Sequence, residues 1–104
     1  MGEIVSNENR VSNENGIGVT GESTSVSVRY FAAAAEAAGC SKESVELPGR
    51  ATLAVLAEAL EQRHGAPMAR VLSVAAFLVD SELTRDRSRP AGGQVDVLPP
   101  FAGG

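Results

Sequence analysis

A chain of 104 residues holds one domain of ordinary size and excludes a second. With 43% hydrophobic residues it can bury a core, yet only Tyr30, Phe31, Phe77 and Phe101 are aromatic, so Val, Leu and Ala must build it. A net charge of −4 disfavours nucleic acid or an anionic membrane as the main partner.

The acidity is concentrated at the start. Residues 1–25 set Glu3, Glu8, Glu14 and Glu22 against Arg10, whereas the remainder is close to neutral. Val5-Ser6-Asn7-Glu8-Asn9 recurs as Val11-Ser12-Asn13-Glu14-Asn15, followed by Gly16, Gly18 and Gly21. Such a polar run buries too little apolar surface to offset its ordering entropy. Residues 1–24 are therefore expected to be a disordered, dispensable leader, and residues 25–104 the folded domain.

Order is predicted from Ser25. Val26, Val28 and Tyr30 alternate with Ser27 and Arg29, the period of a half-buried strand, and Phe31 continues on the opposite face. Ala32 to Ala38 reads as a short helix closed by Gly39. Ser44 to Leu47 reads as a second strand, ended by Pro48-Gly49. Thr52 to His64 is the clearest helix: Thr52 suits an N-cap, and Leu53, Leu56 and Leu60 recur on one face. Gly65 and Pro67 are expected to stop it. Val74 to Val79 reads as a central strand, and Asp80-Ser81-Glu82 as a turn into Leu83-Thr84. Arg85 to Arg89 reads as a charged, solvated loop, Ala91-Gly92-Gly93 as a turn, and Gln94 to Leu98 as the last strand. This order fits one mixed sheet packed on a helix, an α+β architecture.

One cysteine, Cys40, excludes an internal disulfide and fits a reducing compartment. The first residues lack the basic start and apolar run of a signal peptide, and no stretch is apolar enough to span a bilayer. A cytoplasmic location is expected. Cys40 has no neighbouring His or second Cys, so it reads as structural rather than as a persulfide carrier. His64 has no second metal ligand near it, and no metal site is predicted. No nucleophile–base pair or phosphate-cradling glycine loop suggests self-contained catalysis.

The sequence ends on Pro99-Pro100-Phe101-Ala102-Gly103-Gly104. Glycine has no Cβ, so a Gly-Gly end can thread a narrow channel that side chains would block. Pro99 and Pro100 cannot donate to a sheet ladder; they end the strand and stiffen the base of the tail. Residues 101–104 are expected to form a flexible arm, reaching about 13 Å when extended. If the strands alternate regularly, Phe31 and Leu98 point away from the face carrying Val28 and Val97. Either they form an exposed apolar docking patch at the root of the arm, or the short helix covers Phe31.

Taken together, the element order and the Gly-Gly end resemble the β-grasp, ubiquitin-like fold, and within it the sulfur carriers of the MoaD/ThiS family. The resemblance is carried by Val28-Arg29-Tyr30-Phe31-Ala32 with Glu36 and Gly39, by Thr52-Leu53 and Leu56, and by Leu78-Val79-Asp80. Most specific is Gln94-Val95-Asp96-Val97-Leu98-Pro99-Pro100-Phe101-Ala102-Gly103-Gly104. The double proline is similar to the small subunit of molybdopterin synthase rather than to carriers serving thiamine or cysteine synthesis. Two positions depart from the pattern: Ala91-Gly92-Gly93-Gln94 replaces an acidic turn, and Ala35 stands where a basic residue is common.

The resemblance implies that an adenylyltransferase of the ubiquitin-activating type uses ATP to adenylate the Gly104 carboxylate, which sulfide then converts to a thiocarboxylate. It implies a molybdopterin synthase large subunit as partner, into whose active site Phe101, Ala102, Gly103 and Gly104 would insert, with Pro99 and Pro100 at the base. The chain would donate sulfur to a pyranopterin precursor as a non-catalytic subunit, binding no cofactor itself. A ubiquitin-like modifier that conjugates to lysines, and a binding module with an inert tail, are the competing readings.

Overall fold

The structure is a computed structural model that describes residues 23–100. Within them, five strands and three helices form two layers. Strand β1 (Ser23–Tyr30) starts two residues ahead of the expected Ser25, and its Val26, Val28 and Tyr30 are buried in alternation. Helix α1 (Ala33–Ala38) ends on Gly39, whose φ of 74° is the left-handed cap a glycine adopts without steric cost. Strand β2 (Lys42–Pro48) buries Val45 and Leu47.

Helix α2 (Leu53–His64) presents Leu53, Leu56, Ala57 and Leu60 to the sheet, all buried. The Thr52 hydroxyl accepts from the Val55 backbone N–H at 3.3 Å, filling one of the donors left open at a helix start. Gly65 ends α2 at φ 81°, as expected, but the chain then forms a further helix, α3 (Ala66–Leu72). Pro67, which reads in the sequence as a breaker, occupies the first turn of α3, where a missing N–H costs nothing. Met68 and Leu72 of α3, one helical turn apart, fill the core.

The predicted strand Val74–Val79 is correspondingly shorter. Strand β3 is Ala76–Val79, because bonds from Val74 N to Val71 O (3.2 Å) and Ala75 N to Leu72 O (3.4 Å) continue the turn after α3. Val74 is 48% exposed. Asp80 and Ser81, at φ 51° and 66°, make the two-residue connection to β4 (Glu82–Thr84), with the paired left-handed angles of a type I′ hairpin. Strand β5 (Gln94–Leu98) closes the described fold.

The expected solvated loop Arg85–Arg89 is pinned at several points. Arg87 donates to the Leu72 carbonyl at 2.5 Å and lies over the Phe77 ring, and Arg89 pairs with Glu82. The carbonyls of Arg87 and Arg89 accept from Ala54 and Leu53, each at 2.9 Å, so this loop caps the first turn of α2.

The sheet order is β2-β1-β5-β3-β4. Only the β1–β5 pair is parallel, in register Val28↔Val95 and Tyr30↔Val97. The others are antiparallel, including Val26↔Val45, Phe77↔Val97 and Phe77↔Thr84. Core-facing Val26, Val28, Val95, Val97, Phe77 and Val79 lie under α2. As a test of this packing, Leu56→Ala should lower stability by about 2–5 kcal/mol in chemical denaturation. A shift well under that range would place Leu56 outside the core.

Candidate functional site

The two central strands run parallel, so the end of β1 and the end of β5 leave the sheet at the same edge. Leu98 is half-buried, Pro99 buried and Pro100 exposed, so the chain reaches solvent at Pro100. Phe101, Ala102, Gly103 and Gly104 lie outside the described residues. Beside this exit the Phe31 N–H donates to the Val97 carbonyl at 3.3 Å, extending the ladder by one bond.

Ala32 then turns the chain sharply into α1 at φ 52°, ψ −128°, a conformation that L residues rarely hold. The turn leaves Phe31 outside the helix layer, 38% exposed. Of the two alternatives for this ring, partial exposure next to the tail root is the one observed.

The side of the sheet opposite α2 carries a small mixed surface. Register places Ala76 beside Leu98, Leu78 beside Asp96 and Leu83 beside Leu78. Leu83 is 63% exposed, while Leu78 and Leu98 are half-buried. At its centre, Arg29 Nε and Nη2 donate to the two carboxylate oxygens of Asp96 at 2.8 and 2.7 Å. This fork-on-fork geometry is the strongest form of an Arg–carboxylate contact. The Arg29 guanidinium also sits over the Phe31 ring, 5.8 Å from its centroid, so one side chain ties Asp96 to the aromatic at the exit.

The ion pair is lopsided, with the Asp96 side chain 5% exposed and that of Arg29 46%. The Arg29 hydrogen bonds, outweighing burial, hold the Asp96 carboxyl below the usual carboxylate range. Phe31 and Leu98 are legible in the sequence as outward-facing residues; Leu78, Leu83 and the Arg29–Asp96 pair emerge only in the structure. A signal for them exists, since Leu78 and Asp96 each stand next to core valines and so face the other way.

A second polar group fastens the same end of the sheet from the helix side. Tyr30 donates its hydroxyl to Glu43, His64 Nε2 lies 2.5 Å from Glu43 Oε2, and Arg63 Nη1 donates to Glu43 Oε1 at 3.0 Å. Tyr30 and His64 meet edge to face, centroids 6.0 Å apart. Burial alone would raise the Glu43 carboxyl; bonds from Tyr30, His64 and Arg63 together overcome it and hold the group low. Burial, reinforced by the bond to Glu43, keeps the Tyr30 phenol protonated well above its ordinary range. His64 thus closes α2 with a carboxylate partner, a contact its spacing in the sequence could not reveal. Cys40 is free and half-buried, packed against the core. Among the described residues, no three His, Cys, Asp or Glu side chains converge as metal ligands, and no helix is long and apolar enough to cross a membrane.

Because both Asp96 and Glu43 sit below their unfolded values, the unfolded chain binds more protons in acid. Their contribution is complete above the ordinary carboxylate range and is lost as pH falls through the depressed values. Urea midpoints should therefore decline from about pH 5 downward, and Asp96→Leu should flatten part of that slope. At neutral pH, Arg29→Met should lower the melting midpoint more than Asp96→Leu. The first strands a buried carboxylate; the second leaves a guanidinium that water can solvate. The reverse order would remove the ion pair from the centre of this surface.

Comparison with known proteins places these features in context. Residues 28–104 match the model of the ThiS family. Comparison with curated protein sequences finds no match. Among solved structures, SAMP1 from Haloferax volcanii is 28% identical with a TM-score of 0.62, covering 77% of this chain and 99% of its own. A putative molybdopterin converting factor, subunit 1, from Pyrococcus furiosus is 26% identical at TM-score 0.57, covering 75% and 99%. The complex of subunits 1 and 2 of molybdopterin-converting factor from Helicobacter pylori 26695 aligns at 25% identity and TM-score 0.51, covering 78% of this chain and 100% of the matched one.

Proposed function

The chain belongs to the ThiS family, with the β-grasp fold shared by sulfur carriers and small ubiquitin-like modifiers, and from that premise we propose that it is the sulfur-carrier subunit of molybdopterin synthase. The observation that carries the reading is the exit of the chain at Pro99-Pro100, beside an exposed Phe31, with Gly103-Gly104 four residues further on. The likeness to subunit 1 of two molybdopterin-converting factors supports it.

In this reading ATP and an adenylyltransferase convert the Gly104 carboxylate to an acyl-adenylate, replacing a poor leaving group with AMP. Sulfide attacks the acyl carbon, the acyl–phosphate bond breaks, and a thiocarboxylate remains. Its sulfur is soft and ionised at neutral pH, a better nucleophile than carboxylate oxygen. Transfer to a cyclic pyranopterin precursor would return Gly104 to a carboxylate. Glycine at both terminal positions keeps the arm narrow enough for two enclosed sites. The prolines limit the freedom lost on insertion, which raises the affinity obtained from the contacts made. Phe31 and Leu98, flanked by Leu78 and Leu83, would meet the large subunit.

The modifier reading draws support from the likeness to SAMP1. Intact-mass analysis of the chain from cells holding an activating enzyme separates the two. A species heavier by one oxygen-to-sulfur exchange at Gly104 is the expected result; adducts on the lysines of other proteins would instead establish a modifier. An unmodified terminus, with the activating enzyme demonstrably active, would refute both. Phe31→Asp should weaken binding of the large subunit roughly 30-fold, about 2 kcal/mol, with an unchanged melting midpoint. Equal affinity would move the interface elsewhere.

A further inference from the structure

Of the nine basic side chains other than histidine, eight are arginines and one, Lys42, is a lysine. The difference is chemical rather than electrostatic. Guanidinium stays protonated at neutral pH and does not act as a nucleophile, whereas an ammonium can release a proton and expose a nucleophilic amine. An activated carboxyl on this chain therefore meets one side-chain amine on the whole molecule.

The fold puts that amine close to where the chain leaves the sheet. Lys42 opens β2, is exposed, and forms no ion pair with another described residue. Register sets it opposite Arg29, which stands opposite Asp96, so Lys42 lies two strand spacings, about 10 Å, from β5 on the face away from α2. Because β2 runs against β1 and β5, its first residue falls at the edge where β5 ends. Leu98 is two residues, about 7 Å, past Asp96 along that direction. Four residues follow Pro100, and a chain of that length reaches at most about 13 Å, so its length together with that of a lysine side chain is sufficient for the gap. Arg29, the cation facing Lys42 across the strands, is neutralised by Asp96 and does not repel an approaching ammonium strongly.

We infer that Lys42 is the acyl acceptor of this chain: when the Gly104 carboxyl is activated, the Lys42 amine captures it as an isopeptide, in competition with sulfide. The inference rests on the activation of Gly104 argued under the proposed function. In the step itself, the neutral Lys42 Nζ attacks the acyl carbon of the adenylate. A C–N bond forms, the acyl–phosphate bond breaks, AMP leaves with its electron pair, and the extra proton on nitrogen passes to solvent. The product can no longer take up sulfur at that carbon, so the reaction closes the carrier whenever sulfide is short.

The test needs no activating enzyme. The full chain carrying a thioester at Gly104 is held in native buffer near pH 8 and mapped by proteolysis and mass spectrometry. The expected product is a branched peptide joining Lys42 to Gly104, absent in Lys42→Arg, whose melting midpoint should match the parent. In denaturant its rate of formation should fall about tenfold, because the long unfolded loop dilutes the amine. Hydrolysis of the thioester, or capture by the α-amine, with Lys42 unmodified overturns the inference. So does a Lys42 branch that forms as fast in the unfolded chain. Loss of the sulfur-carrier reading would show separately, as an unmodified Gly104 in cells that hold the activating enzyme.

Discussion

Everything distinctive in this molecule depends on one pairing, the parallel contact of β1 with β5. The two strands lie far apart in sequence, and joining them side by side requires the helices and β2–β4 to fit between. Parallel strands cannot be linked by a tight turn, so the crossover supplies α2 and α3, which cover one face. The pairing also has a directional consequence. Both strands end at the same edge, which brings Phe31, the last turn before α1, next to Pro99 and Pro100. An antiparallel contact between the same two strands would put Phe31 at the far end of the sheet from the exit.

The parallel pair is held by different forces on its two faces. Toward α2 the contacts are apolar: Val28, Val95, Tyr30 and Val97 exclude water and supply the main driving force. On the other face the same pair of strands is joined by Arg29 and Asp96. With the Arg29 side chain about half exposed, this pair adds little to stability through its charges and more through the geometry its two bonds fix. Here the geometry is plain. Asp96 fixes Arg29, and Arg29 lies over Phe31, so the pair holds a guanidinium against the ring at the exit.

The Tyr30–Glu43–His64–Arg63 group does comparable work from the helix side. It joins the end of α2 to β1 and β2 next to the edge from which the chain departs. A terminus that must enter another protein's site is delivered accurately only if the point where the chain leaves the sheet is fixed. In this fold that point is braced from both faces of the sheet, by polar networks whose members satisfy one another. Lys42 begins the strand that carries Glu43, so the brace also holds the acceptor amine relative to the exit.

Local chemistry determined much of this in the sequence alone. Period-2 valines marked β1 and β5, the Leu53–Leu56–Leu60 face and Thr52 marked α2, and Gly39, Gly65 and Asp80-Ser81 marked where elements end. Those signals are short-range and need no partner to be read. Helix α3 escaped because seven residues give too little periodicity, and because Pro67 means a stop inside a helix but a start in its first turn. The arginine loop escaped because its carbonyls cap a helix more than thirty residues earlier in the chain. The outward parity of Leu78 and Asp96 was readable, but their adjacency, and that of Glu43 to His64, exist only after the strands pair. Sequence therefore determined most of the elements and the presence of a side-chain-free Gly-Gly end. Tertiary structure decided which side chains share a surface, since register and strand direction are set by the burial of the whole core at once.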